Sequence, residues 1–326
     1  MTTAEILAEF PQLSALVIGD ICLDRWSTYD PDVAEPSRET GIPRIGVVKT
    51  EVTAGAGGTV ANNLAALGVG RVGVLGVIGD DGFGYELTAA LRDRGIDGST
   101  LIRAPGMQTF TYTKLINAKT GIEDRPRVDF ISTTPLDSKV EHQVLDSLRK
   151  AIENFDVILV SDQAETSAGG VVTPAVRGRL GDLARPHPDK VFLVDSRARI
   201  ELFRKAIIKP NRDEAESACR RLLGRIDFQA LREHCESRLM MVTDGSNGVL
   251  VVEPDKEISC KTKPISKPVD ICGAGDSFSA GAAMALAVTR SSVEAAHFGN
   301  LVASITIMKK GTGTASPAEL LEAARE

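Results

Sequence analysis

Residues 268–281 read Pro-Val-Asp-Ile-Cys-Gly-Ala-Gly-Asp-Ser-Phe-Ser-Ala-Gly, so an acid, Asp276, follows a Gly-Ala-Gly turn and heads a run of small residues. The amides of Gly273, Ala274 and Gly275 can converge on an anion, because glycine lets the backbone approach a ligand closely. A helix beginning at Asp276 adds the positive end of its dipole. Asp276 then serves either as the helix N-cap or as a general base taking a proton from an attacking hydroxyl. A carboxylate base beside an anion cradle is what phosphoryl transfer to an alcohol requires. The stretch alone leaves both readings open.

Two further stretches carry the same ambiguity. In Ile-Ile-Lys-Pro-Asn-Arg-Asp-Glu-Ala-Glu (207–216), Asn211 and Glu214 have capping-box spacing at the start of an acidic helix. The same pair suits phosphate and hydrated Mg²⁺ at a sheet edge. Val-Thr-Asp-Gly-Ser-Asn-Gly (242–248) has the Asp-Gly and Asn-Gly chemistry of a hairpin, and a glycine turn there also suits a nucleotide. By contrast, Gly68–Gly73 fits Gly-x-Gly-x-x-Gly but follows a helical pattern and opens a strand, the reverse of a dinucleotide fingerprint. No Gly-x-x-x-x-Gly-Lys-Ser/Thr loop occurs.

These residues need a scaffold. Short, β-rich apolar runs recur at Ala15–Ile18, Val72–Ile78, Val157–Val160, Val191–Val194, Ala206–Ile208, Met240–Thr243 and Val249–Val252. Continuous apolar runs of this kind are buried parallel strands covered on both faces. Between them lie helical patterns at Val60–Leu67, Tyr85–Arg94, Glu141–Asn154, Gln229–Ser237, Asp276–Thr289 and Val293–Lys309. Alternating strand and helix predicts a three-layer α/β fold. Residues 26–53 and 107–132 break the rhythm, and the alternation in Thr-Phe-Thr-Tyr-Thr-Lys-Leu-Ile suggests half-exposed strands, as in a small antiparallel flap or a pair of surface hairpins.

Bulk properties exclude other classes. The chain has 326 residues and a net charge of −6, which gives no general attraction to nucleic acid or anionic membranes. Its five cysteines (Cys22, Cys219, Cys235, Cys260, Cys272) are scattered without a zinc-like cluster and are expected to be reduced. The N-terminus lacks a basic leader and no apolar run approaches the ~18 residues of a membrane span. A cytoplasmic protein is expected.

The order of the motifs resembles that of the PfkB (ribokinase-like) carbohydrate kinases, from Leu16 to Ala315. Asp-Ile-Cys-Gly-Ala-Gly-Asp is similar to that family's C-terminal signature and Lys-Pro-Asn-Arg-Asp-Glu to its Pro-Asn-x-x-Glu element. Val-Thr-Asp-Gly-Ser-Asn-Gly is similar to its nucleotide-binding turn, and Gly-Asp-Ile-Cys-Leu-Asp-Arg-Trp (19–26) to its substrate-binding first strand. The resemblance implies a ribokinase-like three-layer α/β/α sandwich with a central, mostly parallel sheet. One kinase domain over residues 1–326 would carry the flap as a small β lid, which often forms a homodimer contact. It implies ATP and Mg²⁺ as cofactors, with K⁺ in many members, and a small-molecule sugar or sugar phosphate as the partner.

By resemblance, Asp276 is the general base and the amides of Gly273, Ala274 and Gly275 form the anion hole. Asn211 and Glu214 hold the ATP phosphates, with Glu214 reaching Mg²⁺ through water. Thr243 and Gly245 line the nucleotide site and Asn300 lies near the adenine. Asp24, Gly55 and Asn63 meet the sugar, and Asp270 lies near the monovalent cation. Within the family, Leu-Asp-Arg-Trp and residues 36–51 are most similar to the kinase half of bacterial heptose-phosphate enzymes, which implies transfer to O1 of a heptose 7-phosphate. Arg38, Arg44, Lys114, Arg125 and Arg127 then become candidates for its phosphate. Thr59 replaces a signature Asn, Ala56 a Gly or Lys, and Cys272 a Thr, and residues 161–173 lack the Ser-Asp-Tyr-Gly-Lys-Gly run. The sequence also closes where the kinase-like region does, so a kinase without a nucleotidyltransferase half is expected. Another sugar or sugar-acid kinase, or a catalytically weak sugar-binding regulator, stays open on these departures.

Overall fold

A computed structural model of the chain describes residues 1–325 except 34, 164–168, 264 and 266. A capped first helix, α1 (Thr3–Glu9), leads into β1 (Ser14–Gly19), which is almost wholly buried. The chain leaves the main sheet at once, and β2 (Ile21–Tyr29) pairs antiparallel with β3 (Val47–Ala56). Helix α2 (Gly57–Ala66) returns to the core, and β4 (Arg71–Leu75) lies parallel to β1. The glycines of residues 68–73 thus bridge a helix end and a strand start, as a turn.

Val72–Ile78 is two strands rather than one. The second, β5 (Val77–Gly79), pairs across α3 (Gly82–Asp93) with β6 (Ile102–Ala104) in a separate ribbon. Next come β7 (Thr111–Asn117) and β8 (Val128–Phe130). Strand and helix then alternate through α4 (Ser138–Ala151), β9 (Val157–Asp162), α5 (Pro174–Ala184) and β10 (Val191–Ser196). The alternation continues through β11 (Ile207–Ile208), α6 (Arg212–Leu223), α7 (Phe228–His234) and β12 (Met240–Thr243). The chain closes with β13 (Val249–Glu253), β14 (Lys256–Cys260), α8 (Ala274–Thr289), α9 (Ser292–Thr306) and α10 (Pro317–Ala323).

The main sheet runs in the order β14-β13-β12-β11-β10-β9-β1-β4. From β4 to β12 every pairing is parallel. The last two strands are antiparallel, contrary to the parallel reading of Val249–Val252, because residues 244–248 turn back tightly through two glycines with positive φ. Alternate strand residues enter opposite layers. Val17, Leu159, Leu193 and Met241 pack against α2, α8 and α9, whereas Ile18, Val160, Val194 and Met240 pack against α4 to α7. This is the α/β/α sandwich expected of the sequence.

The second sheet, in the order β3-β2-β7-β8, covers the C-terminal ends of the main strands. It is mixed, not antiparallel, since β2 and β7 run parallel. The main body separates those two strands in the chain, so no hairpin dictates their direction. The first lid segment also spans more than residues 26–53, from Ile21 to Ala56. The lid rests on α3 through Arg25, which ion-pairs with Glu86 at 3.1 Å and stacks over Phe83 at 4.9 Å. Among the described residues no helix is long and apolar enough to cross a membrane.

Candidate active site

Helix α8 begins at Ala274, two residues before the sequence pattern suggests, with Gly273 as its N-cap at φ 78°. A left-handed residue there admits only glycine without strain. Asp276 is therefore in the first turn and is not the N-cap. The cradle also differs from the expected one, because the Ala274 amide donates to Ile271 O at 3.2 Å. The amides of Gly273, Gly275 and Asp276 make no backbone bond to described residues and remain as donors around the positive end of the helix.

One side of this turn opens on a cavity of about 330 Å³ lined by Thr243, Gly245, Ala274, Gly275, Phe278 and Asn300. The three nucleotide candidates thus meet beside the cradle, with apolar Ile271 and Ile307 for a flat base. Asn211 joins them because it bridges Thr243 where β11 and β12 end. Asn211 and Glu214 do form a capping box: Asn211 Oδ1 accepts from the Glu214 amide at 2.9 Å, and Glu214 Oε2 accepts from the Asn211 amide at 2.8 Å. Capping and ligand contact are compatible, since Asn211 Nδ2 and Glu214 Oε1 stay uncommitted.

The other side opens on a cavity of about 150 Å³, bounded by Asp24, Trp26, Thr59, Lys114, Arg127, Gln163, Arg197, Cys272 and Asp276. Asp24 reaches it from β2, where its carboxylate folds over Gly55, the β3 partner of Cys22, at which a Cβ would sit 2.5 Å from the Asp24 carboxylate. Trp26 leans toward Gly311, whose added Cβ would be 3.4 Å from the indole. Asn63 does not reach this cavity. It is fully buried in α2 and its amide donates to Thr59 O at 2.9 Å; Thr59 and Ala56 line the wall instead. Of the phosphate candidates, Lys114 and Arg127 line it. Arg44 is exposed beside Glu35, Arg125 lies over the Tyr29 ring, and Arg38 is exposed. Within the departure at residues 161–173, residues 164–168 lie outside the described residues.

Asp276 stands between the two cavities. Burial pushes its carboxyl up to about 7, with Asp195 adding to the rise and Lys209 opposing it. Asp24 is raised to about 6, again by burial, against the pull of Lys114 and Arg127. Beneath the cradle lies Lys209, whose side chain is 3% exposed and whose Nζ donates to Asp195 Oδ2 at 2.9 Å. Burial alone would lower Lys209, but Asp195, Glu214 and Asp276 together hold it above its usual range. Glu214 is raised by burial first and by Asp195 second.

Three carboxylates around one ammonium leave surplus negative charge beside the cradle, which suits a divalent cation carried in with an anionic ligand. Among the described residues no cluster forms an all-protein metal cage. A site with one carboxylate, completed by ligand phosphates and water, is how Mg²⁺ is usually held. Asp270 braces the loop before the cradle: its oxygens accept the Cys272 amide at 2.9 Å and the Gly311 amide at 3.1 Å.

Lys209, Asp195, Arg197 and Gln163 are absent from the sequence-based site. Lys209 lies within the Lys-Pro-Asn stretch and was open to notice; the others end β9 and β10 with no motif around them.

Residues 14–319 match the profile of the pfkB family carbohydrate kinases. The bifunctional protein HldE of Trichlorobacter lovleyi is 32% identical over 321 residues, covering 95% of this chain and 62% of that protein. The chain thus spans somewhat over three fifths of that relative. In structure, Arabidopsis thaliana ribokinase complexed with ribose and ATP superposes with a TM-score of 0.67 at 18% identity, covering 96% of this chain and 99% of that one. Escherichia coli phosphofructokinase-2 in complex with potassium gives 0.69 at 18% identity, with 96% and 98% covered.

Proposed function

The chain belongs to the pfkB family of carbohydrate kinases, and from that premise we propose that it transfers the γ-phosphoryl group of ATP to a hydroxyl of a sugar phosphate, with O1 of a heptose 7-phosphate as the first candidate. The observation that carries this reading is the position of Asp276 on the wall of a small cavity under the lid, one residue after Gly275, which lines an apolar cavity on the other side of the helix cradle. The first takes the nucleotide, with Thr243 and Gly245 on one wall and Asn300 at its far side. The second takes the acceptor, whose hydroxyls face Asp24 and whose anionic group faces Lys114, Arg127 and Arg197. The resemblance of Leu-Asp-Arg-Trp and residues 36–51 to the heptose-phosphate kinases supports a heptose phosphate, and the cationic wall supports an acceptor that already carries charge.

In this reading the acceptor hydroxyl loses its proton to an Asp276 carboxylate oxygen as its oxygen attacks the γ-phosphorus. The bond to the β-bridging oxygen breaks, leaving ADP. The Gly275 and Asp276 amides stabilise the charge that develops on the phosphoryl oxygens. Glu214 would hold Mg²⁺, which would supply charge neutralisation on the phosphates. The lid excludes water, a competing acceptor. The lid's edge strand β3 exposes Val47 and Val48, beside Ile45, and we assign this edge to a homodimer contact.

Because the base must be ionised, kcat/KM is expected to climb as pH rises through about 7, the value of the Asp276 carboxyl. A rate that is level from pH 5 to pH 8 contradicts the assignment. The function itself is tested by ADP release from Mg-ATP over heptose 7-phosphates, hexose phosphates, hexoses, pentoses and sugar acids, with and without K⁺. Stimulation by a sugar phosphate supports the reading, and binding without turnover for every sugar overturns it.

A further inference from the structure

The turn between β12 and β13 carries one wall of the nucleotide cavity, which Thr243, Gly245, Ser246 and Gly248 all line. Bonds within the turn give it its shape. The Asp244 amide donates to Gly248 O at 2.8 Å, the Asn247 amide to Asp244 O at 2.9 Å and the Gly248 amide to Gly245 O at 3.1 Å. These bonds do not fix where the turn sits, and residues 245–247 are exposed. Two attachments tie it to the start of α6. The Thr243 amide donates to Pro210 O at 3.1 Å, and Arg212 Nε donates to Asp244 Oδ2 at 2.7 Å. Asn247 Nδ2 donates to that same carboxylate oxygen at 3.2 Å, so Asp244 gathers both the turn and the helix.

Arg212 directly follows Asn211, the N-cap of α6, and precedes Glu214 by two residues. Its guanidinium is held from behind, over the Phe228 ring at 5.9 Å and 3.9 Å from Glu216 Oε1. Neither Arg212 nor Asp244 lines the nucleotide cavity. The side chains of the pair are 40% and 24% exposed, and an ion pair so open to water adds little to global stability. Its consequence is geometric. It spans two groups of residues that face one nucleotide: Asn211 and Glu214 at the phosphate end, Thr243 and Gly245 on the nucleoside wall. A ligand that touches both is bound best when their separation is fixed beforehand, because less ordering is left for the moment of binding. We propose that Arg212 and Asp244 form a positioning strap that holds the 244–248 turn against the start of α6 and thereby sets the affinity for the nucleotide, an inference that rests on the nucleotide reading of this cavity.

Calorimetric titration with Mg-ATP and steady-state kinetics of Arg212→Met, Asp244→Asn, the double variant and Arg212→Lys test this. Each of the first two substitutions is expected to weaken Mg-ATP binding about fivefold or more, the size of a coupling between contacting residues. The double variant is expected to bind no more weakly than the worse single one, because either change opens the same strap. Arg212→Lys is expected to restore part of the loss, since it keeps the charge without the planar fork. Acceptor KM and melting temperature stay near the parental values, which separates positioning from loss of fold. Direct contact between Arg212 and the phosphates predicts another pattern. Asp244→Asn then leaves affinity unchanged or improves it, by removing a competing negative charge, while Arg212→Met weakens it. That pattern, or parental affinity in both single variants, overturns the inference and leaves the kinase reading intact. A parental protein that binds no Mg-ATP removes the nucleotide reading, and the inference with it.

Discussion

Asp276→Asn is expected to lower kcat by about 10²–10⁴-fold, the range for loss of a positioned general base, while ATP affinity stays close to that of the unaltered protein. Asn has the same shape and leaves the first-turn amides of α8 where they are. It cannot take a proton from the acceptor hydroxyl. The substitution also removes a charge that burial and the neighbouring Asp195 both disfavour. Above pH 7 the variant is accordingly expected to unfold at a temperature no lower than that of the parent. A structural role for Asp276 predicts the opposite pairing, with stability and rate falling together. Parental turnover in the variant removes Asp276 from the base position, and calorimetric titration with Mg-ATP checks the affinity.

Lys209→Met is expected to cost about 3–5 kcal/mol of unfolding free energy at pH 8, the usual penalty for removing one partner of a buried ion pair. The Nζ contact with Asp195 is lost, and the charges of Glu214 and Asp276 lose the same counter-ion. The sign with pH follows from those carboxylates. Without the ammonium their folded-state values rise further above the unfolded ones, so the folded protein binds protons more tightly. The deficit is therefore largest where the carboxylates are ionised and shrinks as pH falls toward 5. Denaturant unfolding at the two pH values measures it. A deficit that does not change with pH, or none at all, shows that Lys209 does not neutralise this cluster. The variant is also expected to bind Mg-ATP less tightly, because the cradle then approaches the phosphates with more negative charge around it.

The parts of this site that sequence makes visible are those built from neighbours in the chain. Gly273 to Asp276, Asn211 with Glu214, and Thr243 with Gly245 each sit in one stretch whose spacing carries its own geometry. The residues that escape notice are brought together only by sheet order. Asp195 lies near the end of β10, Arg197 and Gln163 follow β10 and β9, and only the β10-β9-β1 neighbourhood places them around Asp276. Asn63 fails for a related reason: its place in an apparent signature says nothing about which face of α2 is covered, and the helix turns it inward. Errors of detail have local causes. Gly273 takes a left-handed conformation and starts α8 early, which commits the Ala274 amide. The lid is mixed because its strands β2 and β7 come from distant parts of the chain, so turn chemistry cannot announce their direction. Helices α1 and α10 carry capping boxes, Thr2 with Glu5 and Ser316 with Glu319, yet neither is among the helical patterns drawn from the sequence.

Trp26 is the sole tryptophan of the chain. It rises from a lid strand, borders the acceptor cavity and rests near Gly311 of the main body. The unlabelled protein consequently carries a single indole fluorophore at the seam between the lid sheet and the main body. A sugar entering the cavity, or the lid sliding over the Gly311 loop, alters the polarity and quenching around one indole, with no second indole to dilute the signal. Emission wavelength and iodide accessibility can follow acceptor binding and lid displacement in real time, before any phosphoryl group has moved.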